Sequence, residues 1–149
     1  MKHVCIMSEI ETAREKFFAF LLRKTCTEKQ ALEFLEKLRI SDDEISALMR
    51  EAQEIGLVDD DAYALLFAQG HDSWGDAKIK FELSRRGINS ESVNYALENI
   101  TPELERAREI FDSLRKSYDD RKIRSRLISR GFSSRVINRI LRNVSEIDY

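Results

Sequence analysis

Lys78-Ile79-Lys80-Phe81-Glu82-Leu83-Ser84-Arg85-Arg86-Gly87-Ile88 decides the fold, because the same pattern returns 44 residues later. The second occurrence reads Lys122-Ile123-Arg124-Ser125-Arg126-Leu127-Ile128-Ser129-Arg130-Gly131-Phe132. In both, a lysine leads, two apolar residues stand four apart, and a basic-Gly-hydrophobic triplet closes the segment. A spacing of four marks one face of a helix, and a glycine at its end marks the stop. The correspondence runs on, with Ser90 over Ser134, Val93 over Ile137, Ala96 over Ile140, Leu97 over Leu141 and Ile100 over Val144. A helix, a glycine turn and a second helix therefore occur twice, and self-similarity at a fixed offset is the mark of a repeat architecture.

An earlier copy lies 48 residues before the middle one: Ala31 falls under Ile79, Leu35 under Leu83, Ile40 under Ile88, Ile45 under Val93 and Met49 under Leu97. It has Arg39 where the others have glycine, which predicts a different turn. Each copy resolves into three helices by apolar spacing of three and four. In the first, Ala13, Phe17, Phe18, Leu21 and Leu22 share a face. Thr27 then caps a helix bearing Ala31, Leu32, Leu35 and Leu38. Ser41 or Asp42 caps a third, with Ile45, Leu48, Met49 and Ala52, ending at Gly56. In the middle copy Asp59 or Asp60 opens a helix with Tyr63, Leu66 and Phe67; helices to Arg86 and over 90–99 follow. In the last, Thr101 reads as a cap with Pro102 at the first helical position. That helix carries Leu104, Ala107, Ile110, Phe111 and Leu114. Asp119 or Asp120, then Ser133 or Ser134, cap the remaining two. The expected fold is all-α: three tandem three-helix repeats, 9–55, 56–100 and 101–149, stacked into an elongated, curved array. The alternative is one compact bundle.

Composition agrees with helices and sparse loops, since the chain has one Pro and five Gly among 149 residues. No apolar run reaches the roughly 20 residues that span a bilayer, and the first residues, from Met1 to Met7, are too short for a signal segment. Cys5 and Cys26 lack metal or redox spacing and read as free thiols of a cytoplasmic protein. The net charge of −2 conceals an asymmetry. Residues 101–149 hold twelve Lys/Arg against eight Asp/Glu, whereas Arg115 to Arg142 hold ten against two. The C-terminal third is thus the candidate polyanion-facing surface.

Within it, Arg121, Lys122, Arg124 and Arg126 crowd one helix, with Arg130 at its end. Arg135, Arg139 and Arg142 follow at spacings of four and three, on one face of the next. Val136, Ile137, Ile140, Leu141 and Val144 occupy the opposite face. Such a stripe suits DNA phosphate or an acidic protein groove, although a solvated cationic surface would look the same. A secondary basic set stands in the middle copy: Lys78, Lys80, Arg85 and Arg86. The glycine turns also admit a helix–turn–helix reading, a DNA-binding repressor using residues 118–144. In its favour are Ser134, Arg135 and Asn138 at the start of the last helix; against it, such turns are common in proteins that never touch DNA.

Other features read as structural. Asp59-Asp60-Asp61 has no calcium-loop spacing and suits a helix start. Trp74 fits a packing role better than a stacking one. His3 and His71 have no ligand partners at metal spacing. No phosphate loop, nucleophile elbow or zinc motif is present, so neither a catalytic residue nor a cofactor is expected.

Gly56-Leu57-Val58-Asp59-Asp60-Asp61-Ala62-Tyr63-Ala64, then Trp74-Gly75, then Ile79, Leu83 and Arg86-Gly87-Ile88, resembles the core signature of the RecX family. The three-repeat layout covers the chain from about Ala13 to Val144. The resemblance implies a non-enzymatic, monomeric regulator of the RecA recombinase. It would bind the RecA nucleoprotein filament along its groove, touching RecA protomers and single- or double-stranded DNA. It would suppress filament growth, strand exchange, ATP hydrolysis and co-protease action. The basic face of the last copy would then be the filament-binding surface. Family members carry arginines after the aromatic-Ala pair. Here Leu65, Leu66, Phe67 and Gln69 stand instead, so the basic character falls mainly in the last copy.

Overall fold

The structure, a computed structural model, describes the backbone of residues 2–147 and the side chains of residues 12–142. Expectations for Cys5, His3 and Val144 concern side chains outside the described residues. Among the described residues there are nine helices and no strand: α1 (Lys2–Arg23), α2 (Glu28–Glu36), α3 (Asp42–Glu54), α4 (Asp60–Gly70), α5 (Asp76–Arg85), α6 (Ser90–Glu98), α7 (Glu103–Leu114), α8 (Asp120–Ser129) and α9 (Ser134–Ile147). None is long and apolar enough to cross a membrane.

Local chemistry fixes the helix starts. The Thr27 hydroxyl accepts from the Gln30 amide while the Gln30 side chain accepts from the Thr27 amide, a capping box that satisfies two orphan donors. Ser41 and Glu44 build the same box at α3. Asn89 caps α6 and Asp119 caps α8, and the Ser133 hydroxyl accepts from the Val136 amide at 3.2 Å. The three consecutive aspartates divide their work: Asp59 accepts from the Ala62 amide at 3.1 Å, and Asp60 accepts from the Glu28 amide at the start of α2. At α7 the expectation needs correction. Pro102, with ψ 148°, occupies the cap position itself and Thr101 makes no cap. The Thr101 carbonyl instead accepts from the Arg106 guanidinium at 2.6 Å.

The chain divides into two compact units. One runs through Tyr63 and takes in Arg86–Ile88; the other comprises Ala64–Arg85 and the chain from Asn89 onward. In the first, α1, α2 and α3 pack on one another. Their core is built on Phe17, Leu21, Leu35, Leu48, Met49 and Val58, with Phe20 and Phe34 stacked at 4.3 Å beside it. In the second, α7, α8 and α9 pack on one another, and α5 packs on α6. The α7–α9 core holds Phe111, Ile123, Leu127, Phe132, Ile137 and Ile140. Ile79 and Leu83 are fully buried, as are their counterparts Ile123 and Leu127 and the earlier Ala31 and Leu35.

Three of the apolar faces are narrower than their spacing predicts. Leu22 is 73% exposed, and Leu32 and Leu66 also lie outside the core. In α4 the buried residues are Ala64 and Ala68, whose small side chains admit close approach, while Tyr63 and Phe67 are half-buried. The first turn also differs from expectation. Arg39 adopts φ 57°, in the same left-handed region as Gly87 at 86° and Gly131 at 90°.

Candidate nucleic-acid interface

The amphipathic pattern of α9 dictates its orientation. Ile137, Ile140 and Leu141 are buried and Val136 half-buried, which leaves Arg135, Asn138, Arg139 and Arg142 turned to solvent. Among the described residues none of these three arginines meets a carboxylate. Arg135 to Arg142 spans seven residues, roughly 10 Å along the axis at the α-helical rise. That length matches about three successive phosphates of a nucleic-acid strand.

Helix α8 lies against α9 through Ile123 and Leu127 and adds further cations. Arg121, Lys122 and Arg126 are exposed, while Arg124 and Arg130 are half-buried. Arg124 donates to the Asn138 side chain at 2.7 Å and so joins the outward face of α9. Lys122 and Arg126 converge on the Tyr118 ring, the ammonium 5.9 Å and the guanidinium carbon 4.1 Å from its centroid. The Arg130 carbonyl accepts from the Gly75 amide at 2.8 Å, so the α8–α9 turn is held against the start of α5.

The secondary set is less available. Lys78 lies over the Trp74 ring at 4.4 Å, and its backbone runs beside Gly131. Arg85 pairs with Glu82 at 2.8 Å. Arg86 is half-buried and its carbonyl accepts from the Thr27 hydroxyl at 2.9 Å. Lys80 is exposed. Trp74 is packed against His71 at 4.2 Å and Phe67 at 6.0 Å.

One basic residue behaves differently from the charge count. Arg106 is 2% exposed; its guanidinium donates to the Thr101 carbonyl, to the Trp74 carbonyl at 3.1 Å and to Asp76 at 2.7 Å. It ties α7 to the start of α5 and contributes nothing to the cationic surface. The sequence signal for this is faint: Arg106 stands four before the half-buried Ile110 on the inner side of α7.

The exposed cations give the surface a positive charge of the kind that suits phosphate. Among the described residues no group of three His, Cys, Asp or Glu could hold a metal ion. Cys26 is a buried free thiol, and burial, reinforced by Asp60 and opposed by Lys24, pushes its pKa up.

No family model matches the chain. It is 31% identical over 114 residues to the regulatory protein RecX of Caldanaerobacter subterraneus subsp. tengcongensis, a match covering 73% of this chain and 58% of that protein. The chain thus spans little more than half the length of this relative. The crystal structure of RecX from Lactobacillus salivarius superposes with a TM-score of 0.80, at 24% identity over 93% of this chain and 98% of that one. A second crystal structure of a regulatory protein RecX gives 0.74 at 21% identity, over 93% of this chain and 76% of the other. These likenesses show a shared all-helical fold. With the sequence match and the run of signature residues from Gly56 to Ile88, they place the chain in the RecX family of regulatory proteins.

Proposed function

We propose that this chain regulates RecA by binding its nucleoprotein filament and inhibiting recombinase, ATPase and co-protease activity. On this reading it acts as a monomer in the cytoplasm, without a catalytic step of its own, in DNA repair, recombination and the SOS response. The observation that carries the reading is the exposed face of Arg135, Arg139 and Arg142 on α9, free of carboxylate partners among the described residues. Such a face attracts a polyanion by counterion release. A RecA filament on DNA supplies phosphate beside protein. Membership in a family of regulatory proteins supports the same conclusion.

The reading includes the architecture expected from sequence, three repeats at 9–55, 56–100 and 101–149 stacked into an elongated, curved array. Adjacent copies would present similar faces at regular intervals, which suits a repeating filament. The recurrence of one turn geometry at Arg39, Gly87 and Gly131 supports it.

The test is single-stranded-DNA-dependent ATP hydrolysis by the RecA of the same organism, titrated with this protein. Inhibition well below one molecule per RecA is expected. No effect at a stoichiometric excess would overturn the reading; tight, sequence-selective binding to bare duplex would then favour the repressor.

A further inference from the structure

We propose that Tyr118 and Arg126 form a stacking platform for an unpaired base of single-stranded DNA, with Lys122 holding the adjacent phosphate. The proposal rests on the filament reading, since it gives that reading's basic surface a specificity for one kind of DNA.

The platform is built from a firm base outward. Tyr118 is half-buried and packs on the α7–α9 core. Its amide donates to the Leu114 carbonyl at 3.0 Å, which holds the backbone at that position. Above it lies the Arg126 guanidinium, 4.1 Å from the ring centroid, and the Lys122 ammonium approaches the same ring at 5.9 Å. Both cations are exposed.

Two like charges over one ring repel each other, and a carboxylate between them would normally relieve this. Among the described residues neither makes an ion pair. The two acids that precede Lys122 are otherwise placed: Asp119 caps the Lys122 amide at 2.9 Å, and Asp120 stands exposed in the first turn of α8. An incoming anion supplies the missing countercharge.

The guanidinium adds a second property. Its carbon lies 4.1 Å from the tyrosine centroid, within stacking distance, and the side chain is exposed to solvent. Bases of single strands stack on arginine planes as they do on aromatic rings. In a duplex the bases are already stacked within the helix, so a duplex offers this site its phosphates alone. Single strands therefore gain a contact that duplexes lack.

The test measures fluorescence anisotropy of a short labelled single strand and of a hairpin duplex at one salt concentration. Arg126→Lys keeps the charge and loses the plane. It is expected to weaken single-strand binding roughly five- to tenfold while leaving duplex binding nearly unchanged. Tyr118→Leu is expected to do the same, and Tyr118→Phe to bind as the parent does. A 2-aminopurine in the strand should be quenched by the parent and less by Arg126→Lys. Equal losses on single strand and duplex, or no loss with Arg126→Lys, would overturn the platform. A parent protein that inhibits RecA ATPase yet binds no free single strand would overturn it too, leaving the filament reading in place. Selective single-strand binding without RecA inhibition would retain the platform and remove that reading.

Discussion

The Gly75 amide donates to the Arg130 carbonyl at 2.8 Å, and a side chain on Gly75 would collide with the backbone of Gly131. The start of α5 and the α8–α9 turn thus meet backbone to backbone. A counterpart lies earlier in the chain. There the Thr27 hydroxyl donates to the Arg86 carbonyl at 2.9 Å, and a Cβ on Gly87 would stand 2.8 Å from the Cβ of Lys29. Thr27 and Gly75 differ by 48, and Arg86 and Arg130 by 44, the two offsets at which the sequence patterns align. The same joint is made twice, once with a side-chain hydroxyl and once with a bare amide. Arg39 shows that a left-handed turn alone does not require glycine here. At Gly87 and Gly131 the close neighbour adds a requirement that only a hydrogen in place of Cβ meets.

Replacing Gly75 with alanine therefore inserts a methyl group where two backbones touch. Overpacking of this kind costs roughly 1–3 kcal/mol, and rigid backbone on both sides puts Gly75→Ala near the upper end. Gly70, at the end of α4, has open space for 4 Å around the position a Cβ would take, and makes the control. Gly70→Ala should lie within about 0.5 kcal/mol of the parent. Chemical denaturation of both variants decides the matter, and equal midpoints would show that the joint yields.

Arg106 is the buried cation on which α7 and the start of α5 converge. Removing it leaves the Asp76 carboxylate and the Thr101 and Trp74 carbonyls without their donor. Loss of one partner of a buried pair costs about 3–5 kcal/mol. Because Asp76 keeps 34% side-chain exposure, Arg106→Ala should fall at the low end, about 3 kcal/mol. Arg106→Lys should recover only part, since a single ammonium cannot reach three acceptors in the geometry of a planar fork. Thermal unfolding of the two variants provides the ranking, and a harmless Arg106→Ala would contradict the buried network.

Cys26 offers a pH-dependent test. Burial first, then the charge of Asp60, raises its folded pKa, with Lys24 acting the other way. The folded protein therefore holds the thiol proton more tightly than the unfolded chain. This contribution to stability is complete below the unfolded thiol pKa, about 8.5, and is lost as pH rises from there through the folded value. Iodoacetamide at neutral pH should leave the Cys26 peptide unlabelled in the native protein and label it in denaturant, as read by peptide mass spectrometry. Rapid native labelling would mean that the first unit opens readily around α2.

Much of the fold is legible in the sequence because the buried positions recur. Ile79, Leu83 and Val93 and their counterparts Ile123, Leu127 and Ile137 announce their helices by spacing, and all six are buried. What spacing cannot say is how wide a buried face is. Leu66 falls in helical register with Tyr63 yet is exposed, because the inward side of α4 is taken by Ala64 and Ala68. The turn at Arg39 escapes a reading that looks for glycine at left-handed backbone, since the conformation recurs without it. On the candidate surface, the eight cations from Arg121 to Arg142 that carry it are legible from charge alone. Arg106 adds to the basic count of the same third of the chain, and nothing local marks its salt bridge to a residue 30 positions away. The role of Tyr118 is likewise hidden, since its ring gains meaning only when α8 places two cations over it.

The outward arginines of α9 give the last prediction. If Arg135, Arg139 and Arg142 contact phosphate, affinity for DNA or for the filament should fall as salt rises, because bound cations are released with each contact. For single strands the logarithmic slope is about −0.7 per phosphate neutralised. Arg135→Glu with Arg139→Glu should therefore flatten the slope by about 1.4 and weaken binding most at low salt. Both side chains are exposed, so the double variant should keep the parent's helicity and midpoint of unfolding to within about 0.5 kcal/mol. A changed slope with unchanged stability locates the phosphate contacts on α9. An unchanged slope would remove that helix from the binding surface and shift the contacts to Arg121, Lys122 and Arg126 on α8. Measuring the slope rather than a single affinity matters because any added carboxylate lowers affinity somewhat by long-range repulsion. That repulsion is itself screened by salt, so Arg135→Gln with Arg139→Gln, which adds no carboxylate, should show the loss of slope as well if the contacts are direct.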